Sequence, residues 1–213
     1  MKVYIINSQI DKDRVKFAVS LAERLKKTGK TLLVSTKRNE SNIEDYYGKD
    51  GMITYDLADY LKGVNDFKEV RVKEDENLDF LIAPLLEDKK EIDKEDMDKI
   101  LKEEGYKNLV IDSLDIKLVD EKKSVFIVEA DKFPETIAED SFFINGTSPD
   151  TDIRLSKEKI ESYGKNYLGN VNLGQGFDKQ IDNFINDNYV IVPDLTFFEK
   201  LKMKFKKWQT LYL

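Results

Sequence analysis

The sequence contains no cysteine and no histidine among its 213 residues. These absences exclude disulfide bonds, thiolate nucleophiles, zinc sites of the Cys/His type and any Ser-His-Asp catalytic triad. No apolar run reaches the roughly 18 residues of a transmembrane helix, and the run that follows Lys2 is too short for a signal peptide. We therefore expect a cytoplasmic protein, in which the sequon Asn145-Gly146-Thr147 is a turn and not a glycosylation site.

Glycine is missing where an α/β nucleotide-binding protein would need it. A predicted strand at residues 3–7 runs directly into a predicted helix, and the corner between them holds Gln9, Ile10, Asp11, Lys12 and Asp13. In many α/β proteins glycines at this corner let the backbone approach a phosphate. The corner is therefore either an ordinary βα turn or a nucleotide site that has been lost.

The composition is that of one folded domain with an acidic surface. Apolar residues make up 40% of the chain, with 12 Phe and 10 Tyr, which is enough for a sizeable core. Charged residues make up 36% and are intermixed, and the net charge is −7. An acidic surface repels phosphates, so we predict no nucleic-acid partner.

Short apolar strands alternate with amphipathic helices along the chain. Strands are predicted at residues 3–7, 31–35, 78–83, 108–112, 124–129, 141–145 and 167–171, with a small edge strand near Val70 and Val72. Helices are predicted from Val15 to Leu25 and at residues 55–61, 94–104, 157–163 (capped by Ser156) and 177–188. This alternation predicts an α/β fold of three layers, a mostly parallel sheet with helices on both faces.

Several stretches together resemble a known family. They are the strand at residues 3–8, "LAERLKKTGKTLLVS", "ITYDLADYLKG", "ENLDFLIAPL", "GYKNLVIDS" and, more weakly, "LGNVNLGQGFDKQIDNFINDNYVIV". In order and spacing they resemble the MinD/ParA family of deviant Walker P-loop ATPases. The resemblance implies a P-loop NTPase-like fold and a cytoplasmic protein that dimerises on ATP and positions other machinery on membranes or DNA.

The phosphate loop of that family, KGGxGK[ST], has no counterpart here. Counted back from Thr28-Gly29-Lys30, its glycines, lysine and hydroxyl residue are replaced by Asp11, Lys12, Asp13, Arg14 and Val15. Carboxylates at a helix N-terminus satisfy its free N–H groups and oppose a triphosphate, so we expect Asp11 and Asp13 to cap the helix. We predict no cofactor; the alternative is an irregular nucleotide site that uses Lys12, Arg14 or Lys16.

The acidic motifs of the family are only partly present. Ser35-Thr36-Lys37-Arg38 replaces the carboxylates that would follow the second strand, so no general base is expected there. Asp112 stands at the Walker B position, where the resemblance implies a magnesium ligand. The alternative is an ordinary Asp at a strand end. We predict no catalytic residue and no metal site.

The far half of the predicted sheet has short connections. Only residues 114–123 and 130–140 separate consecutive strands there, whereas a parallel crossover usually takes a dozen or more residues with a helix. In the family these regions carry the switch and much of the dimer face. The strand order of this half stays open, and nucleotide-driven dimerisation is not expected.

The last segment, residues 193–213, reads as a separate amphipathic helix after an α/β domain at residues 1–192. One arc of that helix holds Phe197, Phe198, Leu201, Phe205, Trp208 and Tyr212, and the rest holds Lys200, Lys202, Lys204, Lys206 and Lys207. Such a pattern is typical of an interfacial membrane helix, which the resemblance also implies. A helix docked on the sheet and a helix bound in a partner's groove are the alternatives.

The function predicted from these features is that of a catalytically inactive MinD/ParA-like scaffold. It would attach peripherally to the anionic inner face of the cell membrane and position a protein partner, for which a second copy or an active ATPase relative are candidates. Two alternatives stay open: an ATP-binding ATPase with an unorthodox phosphate site, and a soluble interaction module whose tail binds protein only.

Overall fold

The fold is built around one eight-stranded sheet. The computed structural model describes residues 1–86, 91–129, 132–138, 141–147, 152–164, 166–172, 175–199 and 201. The strands are β1 (Lys2–Ser8), β2 (Thr31–Ser35), β3 (Val72–Lys73), β4 (Leu78–Leu81), β5 (Asn108–Asp112), β6 (Lys123–Val128), β7 (Ser141–Thr147) and β8 (Tyr167–Asn172). The α-helices are α1 (Asp11–Leu25), α2 (Ile43–Tyr46), α3 (Leu57–Leu61), α4 (Phe67–Val70), α5 (Lys94–Leu101), α6 (Lys157–Ser162) and α7 (Asp178–Ile185).

The sheet is parallel apart from one short edge strand. Its order is β3-β4-β2-β5-β1-β6-β7-β8, and only β3 pairs antiparallel, with β4. In the register of the central strands, Asp112 lies opposite Ile6 of β1 on one side and Ser35 of β2 on the other. The carboxyl ends of β1, β2 and β5 therefore lie level with one another, and the side chains that follow them are brought together.

Helices cover both faces of the sheet, as the sequence pattern predicts. On one face, α1 and α7 pack over alternate strand residues such as Tyr4 and Ile6, with Phe17 in edge-to-face contact with Phe177 and Phe184. On the other face, Val3 and Ile5 lie beneath α3 and α5 in a second cluster. The alternation along β1 follows from the strand period of two, which sends successive side chains to opposite faces.

The far half of the sheet continues in parallel despite its short connections. Residues 113–122 join β5 to β6 with only a 3₁₀ helix (Ile116–Leu118), and residues 129–140 join β6 to β7. Ten residues can span about 33 Å, roughly twice the length of a five-residue strand, so such a connection can return the chain without a helix. The strand order that the sequence leaves open is thus β1-β6-β7-β8.

One local expectation from the sequence is wrong, and a second is confirmed only in part. Asn145-Gly146-Thr147 is the end of β7 and not a turn. Ser156 lies at the N-cap position of α6, as predicted, but it also ends a 3₁₀ helix (Ile153–Ser156) and its side chain makes no capping bond. None of the described helices combines the length and the apolar character that a membrane span requires.

Candidate functional site: a closed corner at the carboxyl end of the sheet

The corner between β1 and α1 is a connection of two residues, Gln9 and Ile10. The N–H of Gln9 donates to the carbonyl oxygen of Ile127 at 3.2 Å, and the N–H of Ile10 donates to Ser8 Oγ at 2.8 Å. The Gln9 side chain is also bonded, to Lys132 O at 3.0 Å and to Glu129 N–H at 2.9 Å. The two amides of this corner are therefore engaged within the chain, so neither is free for a phosphate.

A buried ion pair lies directly beneath this corner. Arg14, in the first turn of α1, donates from Nε to Asp112 Oδ1 at 2.6 Å. The side chains of Arg14 and Asp112 are 2% and 0% exposed. The second carboxylate oxygen, Oδ2, accepts the Ser35 hydroxyl at 2.7 Å. Both oxygens of this carboxylate, which the sequence resemblance assigns to the Walker B position, are thus engaged by protein groups.

The pKa of Asp112 is set by its burial and by the groups that contact it. Burial raises the pKa of the Asp112 carboxyl, while the Arg14 guanidinium and the Ser35 hydroxyl act in the opposite direction. Arg14 also contacts the half-exposed Asp11 carboxylate through Nη1, whereas Nη2 has no hydrogen-bond partner within the described part of the chain. Because a buried charge without its partner is costly, Arg14 and Asp112 depend on each other.

The segment that replaces the second acidic motif ties β2 to β5. Beyond the Ser35 bond, the N–H of Thr36 donates to Asp112 O at 3.1 Å, and its hydroxyl donates to Ser113 O. Arg38 pairs with the buried Glu44 at 2.7 Å, and Lys37 is exposed. These contacts hold the strand ends together, and the segment itself carries no carboxylate.

An open cleft of 580 Å³ lies at the same end of the sheet. Asn7, Thr36 and Ser113 line it at the ends of β1, β2 and β5. The Asn7 amide is fixed by two bonds to the backbone of Leu114, at 2.8 and 3.2 Å. Neither Arg14 nor Asp112 is among its lining residues. The ion pair is therefore closed off from this cleft.

The structure corrects the role assigned to Asp11. The cap position of α1 is Ile10, which has no polar side chain, and the Asp11 carboxylate contacts Arg14. Asp13 is buried and engaged, and Lys12 is exposed. Arg14, one of the basic residues proposed for an irregular phosphate site, forms an ion pair with Asp112 instead.

Asp11→Asn is expected to change the free energy of unfolding by no more than about 1 kcal/mol. The Asp11 side chain is 47% exposed, so its pairing with Arg14 is screened by solvent, and Arg14 keeps Asp112. Urea unfolding of the variant and the parent protein measures the difference. A loss of several kcal/mol would show that Asp11 is an essential third member of the buried pair.

The proposed membrane-binding residues lie only partly within the described chain. Thr196 and Glu199 form the reciprocal hydrogen bonds of a helix start, and residues 197–199 and 201 are helical. Phe197, Phe198 and Leu201 are 72%, 79% and 41% exposed. Lys202, Phe205, Lys206 and Trp208 lie outside the described residues.

Comparison with solved structures gives clear similarities, although no protein-family model matches the sequence and no curated protein matches it. A plasmid partition protein of Borrelia burgdorferi has a TM-score of 0.62 at 18% identity, over 87% of this chain and 96% of that one. MinD of Pyrococcus horikoshii with Mg-ADP gives 0.60 at 14% identity, over 85% of each chain. MinD of Aquifex aeolicus, in complex with MinC, gives 0.57 at 16% identity, over 86% of each chain. The chain therefore has the MinD/ParA-like fold that its sequence resembles.

The Arg14–Asp112 pair and the part of Ser35 in it were not predicted from the sequence. A partial signal was present, because Ser35 and Asp112 each end an apolar strand of the predicted parallel sheet, and parallel strands have their carboxyl ends at the same edge. An Arg and a Ser at the ends of neighbouring elements were the candidates to neutralise a buried Asp. What the sequence could not give was the direction in which the Arg14 side chain points.

Proposed function

We propose that this chain is a scaffold with the MinD/ParA fold that does not use ATP as its switch and that positions a protein partner at an anionic membrane. The fold is that of proteins which bind nucleotide, since MinD of Pyrococcus horikoshii was solved with Mg-ADP and a Borrelia burgdorferi plasmid partition protein with AMPPNP. In this chain, protein side chains occupy the position that corresponds to the nucleotide site.

The observation that carries the proposal is the pair between Arg14 and Asp112. A carboxylate at the Walker B position serves a nucleotide through a magnesium ion. Here one oxygen of Asp112 is 2.6 Å from Arg14 Nε and the other is 2.7 Å from Ser35 Oγ, and the carboxylate is fully buried. The guanidinium supplies internally the positive charge that a metal ion would otherwise bring.

The neighbouring corner supports the same proposal. A phosphate site at a helix N-terminus needs backbone N–H groups that point at the ligand. The amides of Gln9 and Ile10 already donate to Ile127 O and Ser8 Oγ. These two bonds would have to break before either amide could bind a phosphate.

Attachment to a membrane is the second part of the proposal. Phe197 and Phe198, where the tail begins, are exposed, so two large aromatic rings are available to an apolar phase or partner. Residues 195–213 contain five Lys and one Glu, a local charge of +4 on a chain of net charge −7. Aromatic anchors combined with lysines suit an anionic bilayer, where each lysine contributes about 1 kcal/mol.

Anionic vesicles are expected to shift the emission of Trp208, the only tryptophan, to the blue, and ATP is expected to change nothing. Added salt should weaken the shift because it screens the lysines. Fluorescence titration with phosphatidylserine-containing and neutral vesicles measures the effect, with and without Mg-ATP. Phe198→Ser should reduce it, whereas the control Tyr189→Ser, an exposed aromatic outside the tail, should not.

Two outcomes would contradict this proposal. Emission that is already blue in the free protein and indifferent to lipid would identify the tail as a docked helix. A vesicle interaction that requires ATP would mean that nucleotide remains the switch.

A further inference from the structure

A second feature lies at the opposite end of the sheet, where β1, β5 and β6 begin. Two adjoining clefts of 370 and 470 Å³ share Lys2, Tyr4 and Ile185 and form one groove. These volumes are typical of ligand-binding clefts. Tyr4, Leu25 and Ile185 give the larger cleft an apolar floor. The groove is thus separate from the Arg14–Asp112 pair at the carboxyl end.

The rim of the groove is positively charged on a protein that is acidic as a whole. Six cationic and three anionic side chains line the two clefts, which leaves a local charge of +3 on a chain of net charge −7. Two of these cations are already neutralised, because Lys123 pairs with Asp187 at 2.7 Å and Arg24 with Asp182 at 3.1 Å.

The other four cations are all lysines, and none of them is neutralised by a carboxylate in the described part of the chain. Lys2, Lys27, Lys107 and Lys122 form no ion pair with any residue of the described ranges. Lys107 donates to the carbonyl oxygen of Thr28 at 2.8 Å, which fixes its ammonium group at the rim. Four ammonium groups that pair with no carboxylate of the described residues, around an apolar floor, suit a ligand that is both anionic and apolar.

We propose that this groove binds an acidic segment of a partner protein, with one or two apolar side chains on the floor and carboxylates at the lysines. A peptide can place its carboxylates at intervals and so avoid Asp182, Asp187 and Glu121, which also line the groove. A nucleic-acid backbone carries a charge at every phosphate and would meet those carboxylates. The inference rests on the proposed scaffold function, for which it names the chemistry of the partner.

The test uses the full chain and fluorescence anisotropy with a short labelled peptide that has a leucine and a phenylalanine between runs of glutamate. We expect binding that weakens about tenfold or more in Lys27→Glu/Lys122→Glu, because two attractions become repulsions. The control Lys62→Glu/Lys68→Glu makes the same change of charge at exposed sites away from the groove and should leave binding unchanged. A peptide with serine for the two apolar residues should bind more weakly.

Three outcomes would overturn the inference. They are no binding of the acidic peptide, equal weakening in both charge-reversed variants, and tighter binding of labelled oligothymidylate that the groove variant abolishes. The last would assign the groove to nucleic acid. Failure of the proposed function is distinguishable, because ATP binding by the same sample would refute that proposal and leave the peptide result standing.

Discussion

Replacing Arg14 with methionine is expected to lower the free energy of unfolding by about 3–5 kcal/mol. The variant keeps most of the side-chain volume and leaves the Asp112 carboxylate fully buried, with only the Ser35 hydroxyl bonded to its side chain. An uncompensated buried charge is among the largest single-site costs that a small protein can carry. Urea unfolding followed by circular dichroism measures the loss.

The matched control is Arg24→Met, on the same helix. Arg24 is 38% exposed and pairs with Asp182 and Asp178, so its loss should cost no more than about 1 kcal/mol. Equal effects of the two substitutions would contradict the description of Arg14–Asp112 as a buried, mutually dependent pair.

The second expected result is that Arg14→Met combined with Asp112→Leu recovers most of the stability that either substitution loses alone. With both charges removed, no desolvated charge is left, and apolar replacements of buried ion pairs are often neutral or stabilising. The Ser35 hydroxyl retains an alternative acceptor in Lys37 O, at 3.4 Å.

A double-mutant cycle over the four proteins gives the coupling directly. We expect a coupling free energy of about 3 kcal/mol or more, with the double variant within about 2 kcal/mol of the parent protein. Additive losses would mean that the two side chains act independently. In that case the proposal that Arg14 replaces a ligand of Asp112 would lose its basis.

Much of the fold could be predicted from the sequence because its signals are local. The apolar run at residues 108–112 and the helical spacing from Val15 to Leu25 depend only on neighbours in the chain, and both elements are where the sequence predicts them. The strand order beyond β1 could not be predicted. It depends on how two short connections cross the sheet, and their sequences are shorter than the usual helical crossover.

Some features of the candidate site could also be predicted from the sequence, and others could not. The absence of glycine at the corner is visible in the sequence, and so is the position of Asp112 at the end of an apolar strand. The roles of Arg14 and Asp11 are not visible, because a basic and an acidic residue in the first turn of a helix have several partners within reach. Only the register of β5 with β1 and β2 brings Asp112 beneath that turn and selects the partner of Arg14.

The most direct test of the central claim is calorimetric titration of the full chain with Mg-ATP and Mg-ADP, with MinD of Pyrococcus horikoshii as the control protein that binds nucleotide. Because Arg14 and Ser35 occupy the Asp112 carboxylate and the corner amides are engaged, we predict no binding with a dissociation constant below about 100 μM. Binding tighter than this, weakened by Lys12→Ala at the exposed start of α1, would contradict the account and establish a nucleotide site at this corner.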